Sequence, residues 1–276
     1  MPTYGTRLGK TTIVALLAGI AVSAAACSDS TPTGLSRAQN PLGPVGTRLP
    51  TWAELKAALI QARSTPNGGF NLDMWGSVVD RAGHVTAVAF TGPTVNDQWL
   101  GSRVISMQKA NTANAFSLPK LALSTANLYA ATQPGGTLFG LQESNPVNED
   151  DAYAGSMADY GTVGDPMVGK KIGGINVFGG GLALYGSDGT FLGAVGVSGD
   201  ASCADHNIAW KLRHILMLDY VPAGVADGGK DDNIIYDISV DNRSESGFGH
   251  PTCSPAATAI SEQLPQTYPI RTGTGR

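Results

Sequence analysis

The 276-residue chain has few cysteines, few aromatic residues and little charge: three cysteines, 7% aromatic and 14% charged side chains. Basic residues are outnumbered by acidic ones, 18 to 22, and are not clustered. That excludes a nucleic-acid surface, which needs massed Lys and Arg to neutralise phosphates. Long apolar runs are also missing. The most apolar stretch, residues 12–22, is about half of the roughly 20 residues a helix needs to span a bilayer, so a permanent transmembrane anchor is not expected.

What is present begins with an export leader. Arg7 and Lys10, the apolar run, and Ser23-Ala24-Ala25-Ala26 before Cys27 follow the order of a secretory signal peptide over residues 1–26. Small residues directly before Cys27 resemble a bacterial lipobox, with Ala24 where Leu is usual. The same residues suit an ordinary A-x-A peptidase, which would cut the same bond. Cys27 is expected to carry the lipid of an exported, membrane-tethered lipoprotein, periplasmic or cell-surface; plain secretion is the other reading. Loss of Arg7 and Lys10 with the leader leaves 16 basic against 22 acidic side chains, a net charge of −6. Cys203 and Cys253 then make an even pair in an oxidising compartment. Joined, they would close a loop of about 50 residues, worth about 3–4 kcal/mol on the chain-entropy model. Two unpaired thiols are the alternative.

Residues 27–50 are rich in Ser, Thr, Pro and Gly and read as a flexible tether. Residues 51–250 form one ligand-binding domain, and residues 251–276 a loose tail pinned by Cys253. Thr51 with Glu54 three residues on is a capping box, which opens a helix over 51–62. Residues 72–79 and 84–90 are Val- and Ala-rich and flank the turn sequence Asp80-Arg81-Ala82-Gly83, a β-hairpin. Helices are expected over 99–116 and 118–132, mainly loop over 133–170, strands over 175–178, 182–185 and 191–197, and a final helix over 205–218. Tight hairpins make the sheet antiparallel. The class is α+β, a mainly antiparallel central sheet flanked by helices on its faces.

Several chemical motifs fail. Residues 164–171 (GDPMVGKK) approach a phosphate loop, but Lys171 replaces the magnesium-binding hydroxyl and Pro166 removes a cradle amide. Ser198 sits in GVSG, not in a G-x-S-x-G elbow. There is no C-x-x-C-H for covalent haem attachment. The acidic stretches 149–151 and 227–233 lack EF-hand spacing and read as solvated loops, with a hard cation as the alternative. No catalytic residue can be named.

One constellation remains. Steps of four, three and four residues set His206, Trp210, Arg213 and Met217 along one stripe of the last helix, while Ile208, Leu212, Ile215 and Leu216 form the opposite, core-facing arc. An imidazole, an indole, a guanidinium and a thioether suit a planar anionic macrocycle such as haem, as axial ligand, stacking wall, carboxylate partner and packing surface. His206 in the first turn meets the positive end of the helix dipole, which keeps it neutral for metal. The same stripe suits a subunit interface or a second packing layer equally well.

Val78-Val79-Asp80 with Gly83, then KANTANAF at residues 109–116, resemble the front half of the GlcG/HbpS-like haem-binding family. The back half is closer: GGLALY at residues 180–185, Asp188-Gly189, LGAVGVSG at residues 192–199, then Asp205 opening a helix. The resemblance spans residues 51–218 and implies a compact profilin-like/GlcG-like domain, often oligomeric, some members of which bind haem and act in haem handling or redox sensing. On that basis the chain is expected to bind non-covalent haem for storage, relay or sensing, and to form a homo-oligomer. His206 would be the axial ligand, Trp210 and Met217 ring contacts, and Arg213 with Lys109 would hold the propionates. Thr112 lies on the same Lys-Ala helix and either touches ligand or packs. The alternatives are a non-catalytic partner subunit of a periplasmic oxidoreductase, or an enzyme acting on haem or a small organic acid. The long loops and the Cys203/Cys253 pair depart from simpler members.

Overall fold

In the computed structural model, which describes residues 46–273, four strands alternate their side chains between two helical layers. Helix α1 (Trp52–Arg63) opens with the expected capping box, in which Thr51 and Glu54 satisfy each other's free amides. Arg48 adds a forked ion pair to Glu54 at 2.7 Å, and this hydrogen bonding holds the Glu54 carboxyl down at about 2. Strands β1 (Trp75–Asp80) and β2 (Val85–Phe90) form the hairpin, with Gly83 at φ 84° in the turn. Helix α2 (Ser102–Phe116) follows, then a 3-10 turn over Thr125–Leu128 and two one-turn helices, α3 (Tyr129–Thr132) and α4 (Glu149–Ala152). Strands β3 (Gly181–Tyr185) and β4 (Phe191–Ser198) make the second hairpin, and helices α5 (Ser202–Ile215) and α6 (Pro255–Thr267) complete the chain.

The sheet order is β2-β1-β4-β3, antiparallel throughout, with Val78 opposite Ala87 on one side and Val195 on the other. The α+β class read from the sequence holds. Val78, Leu182, Leu184, Val195 and Val197 face α1 and α5, against Leu55, Leu59, Ile208 and Leu212. Trp75, Val79, Val88 and Ala194 face α2, against Val104, Met107, Ala110 and Ala113. Apolar residues on both strand faces are what a sheet covered on both sides requires. Gly196 explains part of the glycine-rich β4: a Cβ there would lie 1.9 Å from the Ser106 carbonyl, so only glycine lets α2 settle directly on the sheet.

Four expectations differ. Residues 118–132 make a bridge, a 3-10 turn and one helical turn rather than a helix, because their hydrogen bonds go to distant loops such as Ala223 and Gly249. Residues 175–178 join no strand. Helix α5 starts at Ser202 and ends at Ile215, so Met217 lies beyond it, at φ 55°. The tail is not loose. Ser254 caps α6 by accepting the Ala257 amide, and Pro255 occupies its first turn, where a missing N–H costs nothing. Pro265 inside α6 hid this helix from a sequence reading. The amide it lacks would have gone to the Ser261 carbonyl, and the Asn233 side-chain amide donates to that oxygen instead, at 2.9 Å.

The leader, Cys27 and the tether up to residue 45 lie outside the described residues. Among the described residues no helix is long and apolar enough to cross a membrane.

Candidate functional site

Helix α5 is where the sequence placed the chemistry, and its start is built with care. Gly199, at φ 157°, turns the chain off β4, and the Asp205 carboxylate accepts the Asp200 amide at 2.9 Å. The other Asp205 oxygen accepts from Lys109 Nζ at 2.7 Å, and Lys109 also donates to the Val197 carbonyl at 3.1 Å. Both residues are buried, and burial pushes the Asp205 carboxyl up to about 6 against the pull of the ammonium. Lys109 thus ties α2 past the end of the central strand β4 to α5. Thr112, one turn on, donates to the Gln108 carbonyl at 2.7 Å and accepts the Asn176 amide at 3.0 Å. It anchors the chain entering β3.

Along the expected stripe, His206, Trp210 and Arg213 do line up, and all three are buried. What covers them is the chain's own carboxy-terminal segment, residues 219–273. His206 Nε2 lies 3.2 Å from Asn233 Oδ1, and that oxygen also accepts the Ile234 amide. Burial lowers His206 to about 3, so the ring is neutral. Trp210 donates its indole N–H to the Tyr268 carbonyl at 2.9 Å. Arg213 makes a forked pair with Asp232 at 2.8 and 2.7 Å and reaches the Ala183 carbonyl at 3.2 Å. Both partners of that pair are fully buried. Met217 is set apart from the other three, partly exposed and past the helix end.

The same segment adds further ties. His214 meets Asp219 at 2.7 Å, and Arg271 also pairs with Asp219. The expected disulfide joins Cys203 to Cys253. His250 is buried, donates from Nδ1 to the Pro251 carbonyl at 2.8 Å and packs at a tilt against Tyr129 and edge-on against Phe178. Burial brings it down to about 4. Asp232, Asn233, His250 and Tyr268 were not singled out from the sequence. Asp232 and Asn233 belong to the acidic stretch read as a solvated loop, and the structure corrects that: Asp231, Asp232 and Asn233 are buried. The available signal was Arg213 itself. A guanidinium on a helix with two occupied faces must find a carboxylate, and Asp232 was one of several that follow it in the sequence.

Among the described residues, two buried side-chain nitrogens have no hydrogen-bond partner, His206 Nδ1 and Arg213 Nε. They lie seven residues apart on α5, so two helical turns place them on one face, under the carboxy-terminal segment. Nearly all buried polar groups in folded proteins are paired, which makes this face unusual. Open clefts occur elsewhere. One of about 390 Å³ is lined by residues from Arg63 to Leu72 with Asp200, and one of about 350 Å³ by Ala130–Thr137 and Asn242–Gly247. Neither includes a residue of the stripe. Among the described residues no group of three or more His, Cys, Asp or Glu side chains is placed to hold a metal ion.

A family model described as haem degrading protein, HbpS-like, matches residues 51–212. The match ends within α5, so the covering segment lies beyond it. Similar solved structures include PduOC in a haem complex (23% identity, 61% of this chain and 95% of that one, TM-score 0.42). Klebsiella pneumoniae protein ORFY is 24% identical over 62% of this chain and 92% of its own, with a TM-score of 0.42. HbpS is 15% identical over 62% and 91%, with a TM-score of 0.38. No curated protein matches the chain.

Proposed function

The chain belongs to the HbpS-like family of haem degrading proteins, and from that premise we propose that it is an exported haem-binding protein that stores, relays or senses haem. The observation that carries the reading is the family match over residues 51–212, which includes the whole sheet, α1, α2 and most of α5. The neutral imidazole of His206, with one ring nitrogen unpartnered, supports it as chemistry suited to a metal centre.

The residues as folded do not fit the group. The Arg213 fork and the Trp210 N–H already have acceptors within the chain, and His206 is shut away from solvent. Haem contact at this face requires the covering segment to leave, so no step through haem follows from the closed form. The same covering removes the basis for a subunit interface at the stripe, since the chain buries that face itself.

Export is supported by the leader and by the Cys203–Cys253 disulfide, which persists in oxidising compartments. Lipidation at Cys27 is read from mass spectrometry of the mature amino terminus; an unmodified Cys27 overturns it. For the haem reading, titration of the purified chain should give a saturable Soret band. A spectrum no different from free haem at all ratios overturns it.

A further inference from the structure

The cover over α5 is fastened in two different ways. The non-covalent ties to α5 include the Arg213–Asp232 pair, the His206–Asn233 and His214–Asp219 contacts, the Trp210–Tyr268 bond, the Asn207 bonds to Ala257 and Ser261, and the side of α6 that buries Leu264 beside α5. The covalent tie is Cys203–Cys253, which fixes the segment to the first turn of α5, one turn before His206. Its two sulfurs sit in unlike surroundings. Cys203 is buried, whereas Cys253 is exposed. The Cys203 backbone N–H donates to Cys253 Sγ at 3.2 Å, and the Ser202 hydroxyl lies 3.5 Å from it. A sulfur at the N-terminus of a 14-residue helix, hydrogen-bonded by a free first-turn amide, is stabilised as a thiolate once released. Stabilising the reduced form makes a disulfide easier to reduce.

We infer that residues 219–273 are a cover latched by the Cys203–Cys253 disulfide, which a dithiol reductant releases to uncover the His206 face of α5. A thiolate of the reductant attacks the exposed Cys253 sulfur and breaks the Cys203–Cys253 bond; Cys203 leaves as a thiolate and takes a proton. The second thiol of the reductant attacks the mixed disulfide, forms the reductant's own disulfide and frees Cys253. Two electrons pass to the protein and the reductant is oxidised. His206 Nδ1 and Arg213 Nε, unpartnered where the cover meets α5, gain water on opening and so lower its cost. Loss of the cross-link restores chain freedom to the segment and shifts its opening equilibrium on the order of 100-fold. That haem is what the open face receives rests on the reading above; the latch does not.

Hydrogen exchange on the full chain tests this in three states: oxidised, reduced with dithiothreitol, and as Cys203→Ser/Cys253→Ser. The amides of Ala122 and Ala130 donate to the Ala223 and Gly249 carbonyls of the cover, so they lose their acceptors when it leaves and report its opening. Their exchange should rise on the order of 100-fold in the last two states while β1 amides keep their protection. Diethyl pyrocarbonate should then reach His206, mapped by peptide mass spectrometry. Unchanged exchange at these amides overturns the latch, and so does an equal rise in β1, which marks a simple staple of the whole fold. Haem titration of the oxidised chain and the double variant separates the two readings. Selective opening with no Soret band in either state sinks haem binding and leaves the latch; a Soret band without selective opening does the reverse.

Discussion

Residues 133–174 and 219–250 are both long, irregular and rich in Gly, Asp and Asn, yet the fold fastens them differently. Each is held by one buried Arg–Asp pair. In the first, Arg103 from α2 pairs with Asp165 at 2.9 and 2.5 Å and also donates to the Ala152 carbonyl. Asp165 in turn accepts the Gly161 and Met167 amides at 2.7 and 2.9 Å, so the loop wraps its own carboxylate. In the second, Arg213 pairs with Asp232 but keeps one nitrogen unpartnered, and His206 beside it does the same. A complete polar network locks a segment in one place. An incomplete one, backed by a bond that chemistry can cut, holds a segment that can leave.

The strongest challenge to that contrast is to break each pair. Asp165→Ala and Asp232→Ala both strand a buried guanidinium, at about 3–5 kcal/mol each by urea denaturation. Asp165→Ala should cost more, because two loop amides lose their acceptor as well. The reverse order would remove the distinction. Next comes Cys203→Ser/Cys253→Ser, expected to ease the opening of the cover by roughly 2–4 kcal/mol through its 50-residue loop, read by hydrogen exchange. The first segment has no counterpart to that bond.

Acid should separate the segments further. His206 and His250 titrate near 3 and 4 when folded and near 6.5 when unfolded, so the unfolded chain binds more protons below 6.5. Their contribution is complete above about pH 6.5 and is lost as pH falls towards 4, at roughly 2 kcal/mol per histidine by pH 5. Asp205, raised to about 6, acts in the opposite sense below that pH and offsets part of the loss. His206→Gln should flatten the fall in stability between pH 7 and 5, measured by denaturation at each pH. An unchanged slope would show that the cover does not hold His206 neutral. Residues 133–174 contain no histidine and should show no such dependence. The smallest effect is expected at Lys170, which meets Asp151 at 3.4 Å and is half exposed. Lys170→Ala should stay within about 0.5 kcal/mol, as exposed pairs do.

Both hairpins, α1 with its capping box, and the two-sided sheet were legible from turn residues and periodicity, because these are local patterns. Strand-like residues 175–178 were misleading: Val177 and Ile175 are buried, but against Leu128 rather than in a ladder. Helix α6 was missed because Pro265 outweighs the Ser254-Pro255 start in a local reading, and its rescue by Asn233 comes from 32 positions away. The glycines of β4 could be quoted as a motif, yet their reason, the approach of Ser106 to Gly196, lies in α2.

The sequence by itself determined that α5 has two occupied faces and that His206, Trp210 and Arg213 share a stripe, and it offered Cys203 and Cys253 as an even pair. Only the tertiary structure decided what meets that stripe. A guanidinium needs a carboxylate and an indole N–H needs an acceptor, whether these come from a propionate or from Asp232 and Tyr268. Helical spacing fixes which side chains point together, but the partner of a buried polar group is chosen by proximity across the folded chain, and here the chain supplies its own.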